Sequence, residues 1–210
     1  MAALRSGWLT SGPRVREFEE RFAEYIGAPH AVAVNSGTAA LHLSLLVGEI
    51  GPGSEVITTP LTFCATANAI IHTGATPVFA DIDPISRNLD PAAAAAALTA
   101  KTRGLLPVHL GGRPANIRAF QDLAGRHGLL LVEDAAHAVE TISNEGKTGT
   151  TADFTCFSFY ATKNLTTGEG GMVATASDIR AKALKVASLH GISRDAWTRW
   201  AMHGGPITTS

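Results

Sequence analysis

GLLPVHLGGRPANIRAFQDLAGRHGLLLVED, residues 104–134, holds two apolar runs on either side of a segment with helical spacing. The first run is 104–108 and the helix spans about 115–127. The second run, 129–132, ends abruptly on Glu133 and Asp134. Short apolar runs joined by a helix are the signature of neighbouring parallel strands, because a parallel connection needs a long crossover. Such strands are covered on both faces, so they lack polar alternation.

The same alternation extends in both directions. Upstream, Gly12-Pro13 opens a helix in which Val15, Phe18, Phe22 and Ile26 recur, and Gly27 stops it. A buried run at 31–34 turns at Asn35-Ser36-Gly37 into a helix carrying Leu41, Leu45 and Leu46, broken by Gly51-Pro52-Gly53. Strands are expected at 55–58 and 77–81, with a helix at 63–72 between them. Asp90-Pro91, a cap followed by proline, opens an alanine-rich helix. Downstream, 153–159 and 171–175 read as strands with no long helix between them, and a last helix covers 178–190. The expected fold is α/β: a mostly parallel sheet of about seven strands with helices on both faces.

Composition narrows the classes of function. Of the 210 residues, 45% are hydrophobic and 17% charged, which fits a globular chain. A net charge of -1 leaves no basic excess for a phosphate backbone, so no nucleic-acid partner is expected. No apolar run is long enough for a membrane span, and the first residues lack a secretory apolar core. Cys64 and Cys156 have no metal or redox spacing and sit in apolar runs. Both are expected to be reduced, small, buried side chains in a cytoplasmic protein.

Ligands of an open parallel sheet bind beyond the carboxyl ends of its strands. Polar residues cluster at those ends: Asn35-Ser36-Gly37-Thr38, Thr58-Thr59, His109, Asp134 with His137, and Ser158 with Lys163. Gly37-Thr38 at a helix N-terminus suits a phosphate, although an ordinary hydroxyl cap reads equally well there. Asp134 is costly to bury unless it meets a cation; a helix cap or a structural ion pair would also explain it. Asp134 and His137 lack a third metal ligand, so no metal is expected. Lys163, in the apolar segment 158–164, is either a solvated lysine or a desolvated, nucleophilic one. Gly168-Glu169-Gly170-Gly171 is a hairpin turn or a place where backbone passes close to a ligand. A phosphate cradle, a carboxylate for a pyridinium proton, a Schiff-base lysine and Phe63 as a stacking ring are the parts expected around pyridoxal 5'-phosphate.

These motifs resemble the DegT/DnrJ/EryC1/StrS sugar aminotransferases, of the aspartate-aminotransferase fold type. The resemblance rests on SGWLTSGP (6–13), NSGTAALHL (35–43), EVITTPLTFCATANAI (55–70), GATPVFADID (74–83), PVHLGGRPA (107–115), VEDAAHA (132–138) and FSFYATKNLTTGEGG (157–171). It implies that Thr38 and Ala39, with Gly37 at the turn, bind the cofactor phosphate, and that Ser158 adds a hydroxyl. Phe63 stacks on the ring, Asp134 pairs with the ring nitrogen, and His137 lies near the ring. Lys163 forms the Schiff base and acts as the general acid and base.

The resemblance further implies amine transfer from an amino acid, glutamate first, to a nucleotide-linked keto sugar. VEDAAHAV, TKNLTTGEGG and HGISRDAW (190–197) look most like members acting on UDP-linked 4-keto sugars. A homodimer is expected. A few members replace the lysine with histidine and become dehydratases, so lysine at 163 argues for transamination. Family members are about twice this length. Residues 1–190 are therefore expected to be the cofactor-binding large domain. Residues 191–210, with Trp197 and Trp200, would begin the connection to an absent C-terminal small domain. A non-catalytic fragment is the remaining alternative.

Overall fold

A computed structural model of the chain describes residues 2–6 and 11–192. Its main sheet has seven strands: β1 (His30–Val34), β2 (Glu55–Thr58), β3 (Thr76–Phe79), β4 (Thr102–Leu106), β5 (Leu130–Asp134), β8 (Phe154–Ser158) and β9 (Gly171–Thr175). A separate short hairpin pairs β6 (Ile142–Ser143) with β7 (Gly146–Lys147). The sheet order is β1-β9-β8-β5-β4-β2-β3. Only β9 runs against its neighbours, β1 and β8; every other pair is parallel. The reversal follows from the connection, since β8 and β9 are joined without a crossover helix.

The helices are α1 (Ala2–Arg5), α2 (Pro13–Ile26), α3 (Gly37–Val47), α4 (Ala65–His72), α5 (Pro91–Ala96), α6 (Ile117–His127) and α7 (Asp178–Ala187). Successive strand residues point to opposite faces, and the core divides accordingly. Val32, Val132, Cys156 and Val173 pack with Leu41 and Leu45 of α3, Ile70 of α4 and Leu184 of α7. On the other face, Phe157 and Met172 meet Phe22 and Ile26 of α2. Ile57, Leu105 and Leu131 meet Ala94 of α5 and Phe120 and Leu123 of α6. Every residue of β5, β8 and β9 is buried, which explains their continuous apolar character in the sequence.

Local chemistry sets the element ends. Asp90 accepts the N–H groups of Ala92 and Ala93 and so starts α5, as its sequence position implies. Asn116 caps α6 through the Ala119 N–H, which starts that helix at Ile117 rather than at 115. The α4 helix also starts late, at Ala65 rather than 63, and two further helices end early. The α3 helix ends at Val47, before Gly51, and α7 ends at Ala187, where His190 (φ 53°) and Gly191 (φ 73°) turn the chain left-handed. The expectation for the cysteines holds only for Cys156. Cys64 is exposed, because it precedes α4 instead of lying on its buried stripe. Among the described residues no helix is long and apolar enough to cross a membrane. The tail bearing Trp197, Trp200 and Gly204-Gly205-Pro206, and residues 7–10 of the 6–13 motif, lie outside the described residues.

Two glycines bring backbones into contact at one edge of the sheet. A Cβ on Gly37 would lie 2.8 Å from Ser158 Cβ, and one on Gly171 would lie 2.8 Å from Gly37 N and overlap the Ser36 carbonyl. The start of α3 is thus pressed against the end of β8 and the start of β9. Gly171→Ala should lower stability by about 1–3 kcal/mol, because the obstacle is backbone that cannot rotate away. Gly125→Ala on the open side of α6, where an added Cβ meets nothing, should be neutral or stabilising. Urea midpoints for both variants check this.

Candidate active site

The carboxyl ends of β4, β5 and β8, the start of β9 and the start of α3 share one edge of the sheet. A cavity of about 410 Å³ opens there. Its lining includes Gly37, Thr38, Phe63, Asp134, His137, Ser158 and Lys163, brought from four separate stretches of the chain.

Asp134 ends β5 and is 5% exposed. Thr66 Oγ1 donates to its Oδ2 at 2.7 Å, and the Ala136 N–H donates to Oδ1 at 3.1 Å. Thr66 is itself bonded to Thr62 Oγ1 at 2.7 Å. A carboxylate has about four acceptor positions, so two protein donors leave capacity on the cavity side. The adjacent Glu133 points through the sheet to the opposite face and is fully buried. It accepts from Thr151 Oγ1 (2.8 Å), Thr155 Oγ1 (3.0 Å) and His109 Nε2 (3.4 Å). The Ala115 N–H donates to His109 Nδ1, so the imidazole proton sits on Nε2, facing Glu133.

Lys163 follows β8, and its Nζ lies 2.6 Å from His137 Nε2. The pKa of His137 is held below the ordinary histidine value. Burial is the main cause and the Lys163 charge the second; Asp134 pulls the other way. The carboxylate and the ammonium therefore act on one imidazole from within one cavity. Lys163 is half-buried rather than sunk in apolar surroundings, because the segment 161–169 is a loop over the cavity mouth rather than an interior run.

At the other wall, Ser36 Oγ caps α3 by accepting the Ala39 N–H at 3.1 Å. This occupies Ala39, which does not line the cavity. The first-turn N–H groups of Gly37 and Thr38 have no acceptor within the helix. Ser158 is buried at the end of β8, and its Oγ accepts the Tyr160 N–H at 3.4 Å. Phe63 lies on the rim and is 76% exposed. The glycine turn 168–171 approaches the Ser36-Gly37 backbone, so its tightness serves the α3 turn.

Sequence reasoning missed Thr62 and Thr66, and it placed His109, Tyr160 and Glu169 in no role although all three line the cavity. Thr66 had a readable signal: a hydroxyl on the helical stripe that Ala69 and Ile70 make apolar.

Known proteins resemble this chain in sequence and in fold. The spore coat polysaccharide biosynthesis protein SpsC of Bacillus subtilis is 55% identical over 201 residues, which are 96% of this chain and 52% of SpsC. The crystal structure of DesI in the presence of its TDP-sugar product is 42% identical with a TM-score of 0.87, over 92% of this chain and 49% of DesI. The PLP-form of the putative sugar aminotransferase Spr1654 from Streptococcus pneumoniae is 36% identical with a TM-score of 0.86, over 91% of this chain and 54% of that one. The chain thus spans about half the length of the relatives it matches. The model of the DegT/DnrJ/EryC1/StrS aminotransferase family matches residues 1–206, and the chain belongs to that family.

Proposed function

We propose that the chain is the cofactor-binding part of a pyridoxal-phosphate-dependent sugar aminotransferase. It would move an amino group from an amino acid, glutamate first, to a nucleotide-linked keto sugar of the UDP-4-keto class. The observation that carries this reading is the cavity shared by Asp134, Lys163 and the first turn of α3. Residues 1–190 would be the large domain, and 191–210 would begin the connection to a C-terminal small domain. The working enzyme would be a homodimer.

The residues fit pyridoxal phosphate on their own chemistry. The Gly37 and Thr38 N–H groups, the Thr38 hydroxyl and Ser158 are donors suited to its phosphate ester. Ala39 would contribute only through the helix it helps to cap. Phe63 is a flat apolar surface free to cover a ring. Asp134 keeps acceptor capacity toward the cavity and would hold a proton on a pyridine nitrogen. Lys163 is the amine of the cavity lining and the candidate for covalent attachment. When bound, the cofactor supplies an electron sink.

The chain's own residues do the rest. Thr66 and the Ala136 N–H fix the rotamer of Asp134, so its free lone pairs keep one direction. Lys163 carries protons at Nζ, with His137 in contact. The buried Glu133–His109 pair braces the turn after β4 from behind. SpsC and DesI, a spore coat polysaccharide biosynthesis protein and a protein crystallised with a TDP-sugar product, support a nucleotide-linked sugar as the substrate; the UDP-4-keto class rests on the resemblance of the sequence motifs.

Borohydride reduction in the presence of pyridoxal phosphate, followed by peptide mass spectrometry, should leave the label on Lys163 and not on Lys147, Lys182 or Lys185. Labelling spread over those surface lysines would refute the assignment.

Asp134→Asn should keep that adduct yet lower amine transfer from glutamate to a panel of nucleotide keto sugars by roughly 100-fold or more, because the ring proton loses its partner. Near-normal transfer would refute the role of Asp134.

Thr66→Val removes one donor from Asp134 without changing volume. Leaving a buried acceptor unpaired costs about 1–3 kcal/mol. The variant should show a lower urea midpoint and faster cofactor dissociation; an unchanged off-rate would refute the positioning of Asp134 by Thr66.

A further inference from the structure

We propose that His137 is the resident proton acceptor of Lys163: Nζ and Nε2 share one proton, and its transfer to the imidazole frees the lysine as a nucleophilic amine. The proposal deepens the reading of Lys163 as the covalent anchor and rests on it.

The geometry carries the inference. Nζ and Nε2 are 2.6 Å apart, closer than two fully protonated groups could rest. Nε2 must therefore offer a lone pair, with the ring proton on Nδ1, or receive the proton from Nζ. In the transfer the Nζ–H bond breaks, the Nε2–H bond forms and the freed electron pair stays on Nζ. The pair keeps a charge of one throughout, and no other reactant is needed.

The remaining ionisable groups on the cavity wall leave this pair distinct. Asp134 on β5 favours a proton on His137 but is bonded to Thr66 and Ala136. His109, after β4, is engaged by Ala115 and Glu133. Glu169 and Tyr160, before β9 and after β8, line the cavity, and the Tyr160 carbonyl accepts the Lys163 backbone N–H at 2.9 Å. Glu140, beyond His137 in the chain, binds Asn164 instead. The α3 and α4 sides contribute Thr38, Leu41, Phe63 and Ala65, which do not titrate.

The pair predicts an unusual pH profile. For an isolated lysine the free amine declines about tenfold per pH unit below its pKa. In the pair, the form with the proton on His137 contains as many protons as the ground form. Its share is then independent of pH while the pair holds a single proton. The plateau should begin below the ordinary histidine value of 6.5, because burial depresses His137, and it should extend down to the still lower value that the Lys163 charge imposes. As pH falls through the depressed value, His137 gains a second proton for the pair and the plateau ends.

Arylation of Lys163 by trinitrobenzenesulfonate reads this without any cofactor. The rate on the peptide containing Lys163 is followed by mass spectrometry between about pH 5 and 8, the range in which histidine titrates. The wild-type rate should flatten below pH 6.5, whereas His137→Gln, which can accept a hydrogen bond but cannot titrate, should keep falling about tenfold per unit. Identical slopes in the two proteins would overturn the proposal. Should the variant not fold, the His137 ring titration followed by NMR in wild type and Lys163→Met decides. The midpoint should rise when the lysine charge is removed, and a constant midpoint would overturn the proposal.

Failure of the pyridoxal phosphate adduct with the plateau intact would remove the functional reading and leave the proton pair. An adduct at Lys163 without the plateau would do the reverse.

Discussion

Two carboxylates in succession at the end of a fully buried strand are the constraint to which this end of the molecule is built. Removing an ionised carboxylate from water costs several kcal/mol unless donors replace the lost hydration. Glu133 and Asp134 point to opposite faces of the sheet, so each needs its own set of donors. Glu133 takes two threonine hydroxyls and an imidazole N–H, and among these partners it is fully enclosed. Asp134 takes one hydroxyl and one backbone N–H, and its remaining capacity meets the cavity. Neighbours in sequence thus divide into a structural charge and an available one. The number of donors on each face makes the difference, not the residue type.

The second organising feature is the contact between the start of α3 and the ends of β8 and β9. Gly37 and Gly171 allow it, and Ser36 completes it by capping the helix. A helix tip standing off by one side chain would carry its N–H groups away from the wall that holds Ser158. The antiparallel β9 serves the same end. Its reversal brings a strand start, rather than a strand end, to the ligand edge, and a glycine at that start costs the sheet little.

The sheet was legible in the sequence because its strands are buried on both faces and its helices are punctuated by glycine, proline and capping residues. Glu55–Thr58 and Gly171–Thr175 have the limits the residues imply. Helix ends were less legible where side-chain caps compete with apolar spacing, as Asn116 shows at α6. The short β6–β7 hairpin has no core face and left no pattern. Within the site, the residues at strand ends could be read singly, yet their partners could not. That Thr66 serves Asp134 across 68 positions, or that His137 reaches Lys163 across 26, depends on tertiary contact. The exposure of Phe63 and the half-burial of Lys163 were hidden for the same reason. Both lie on loops, whose apolar letters resemble those of interior segments.

Electrostatics give the cavity a direction. The first turn of α3 presents unbonded N–H groups and the positive end of a peptide dipole. Asp134 presents an anion to the same space, and the Lys163–His137 pair carries one positive charge there. A ligand anionic at one end and proton-bearing at the other would satisfy all three, whereas a uniformly anionic one would meet Asp134 unfavourably. The burial of Asp134 strengthens this selection, because charges interact more strongly where water is excluded. The half-buried Lys163 contributes less to static attraction and more to exchange of protons with its neighbour. Binding direction therefore belongs to the rigid groups on α3 and β5, and proton traffic to the loop that follows β8.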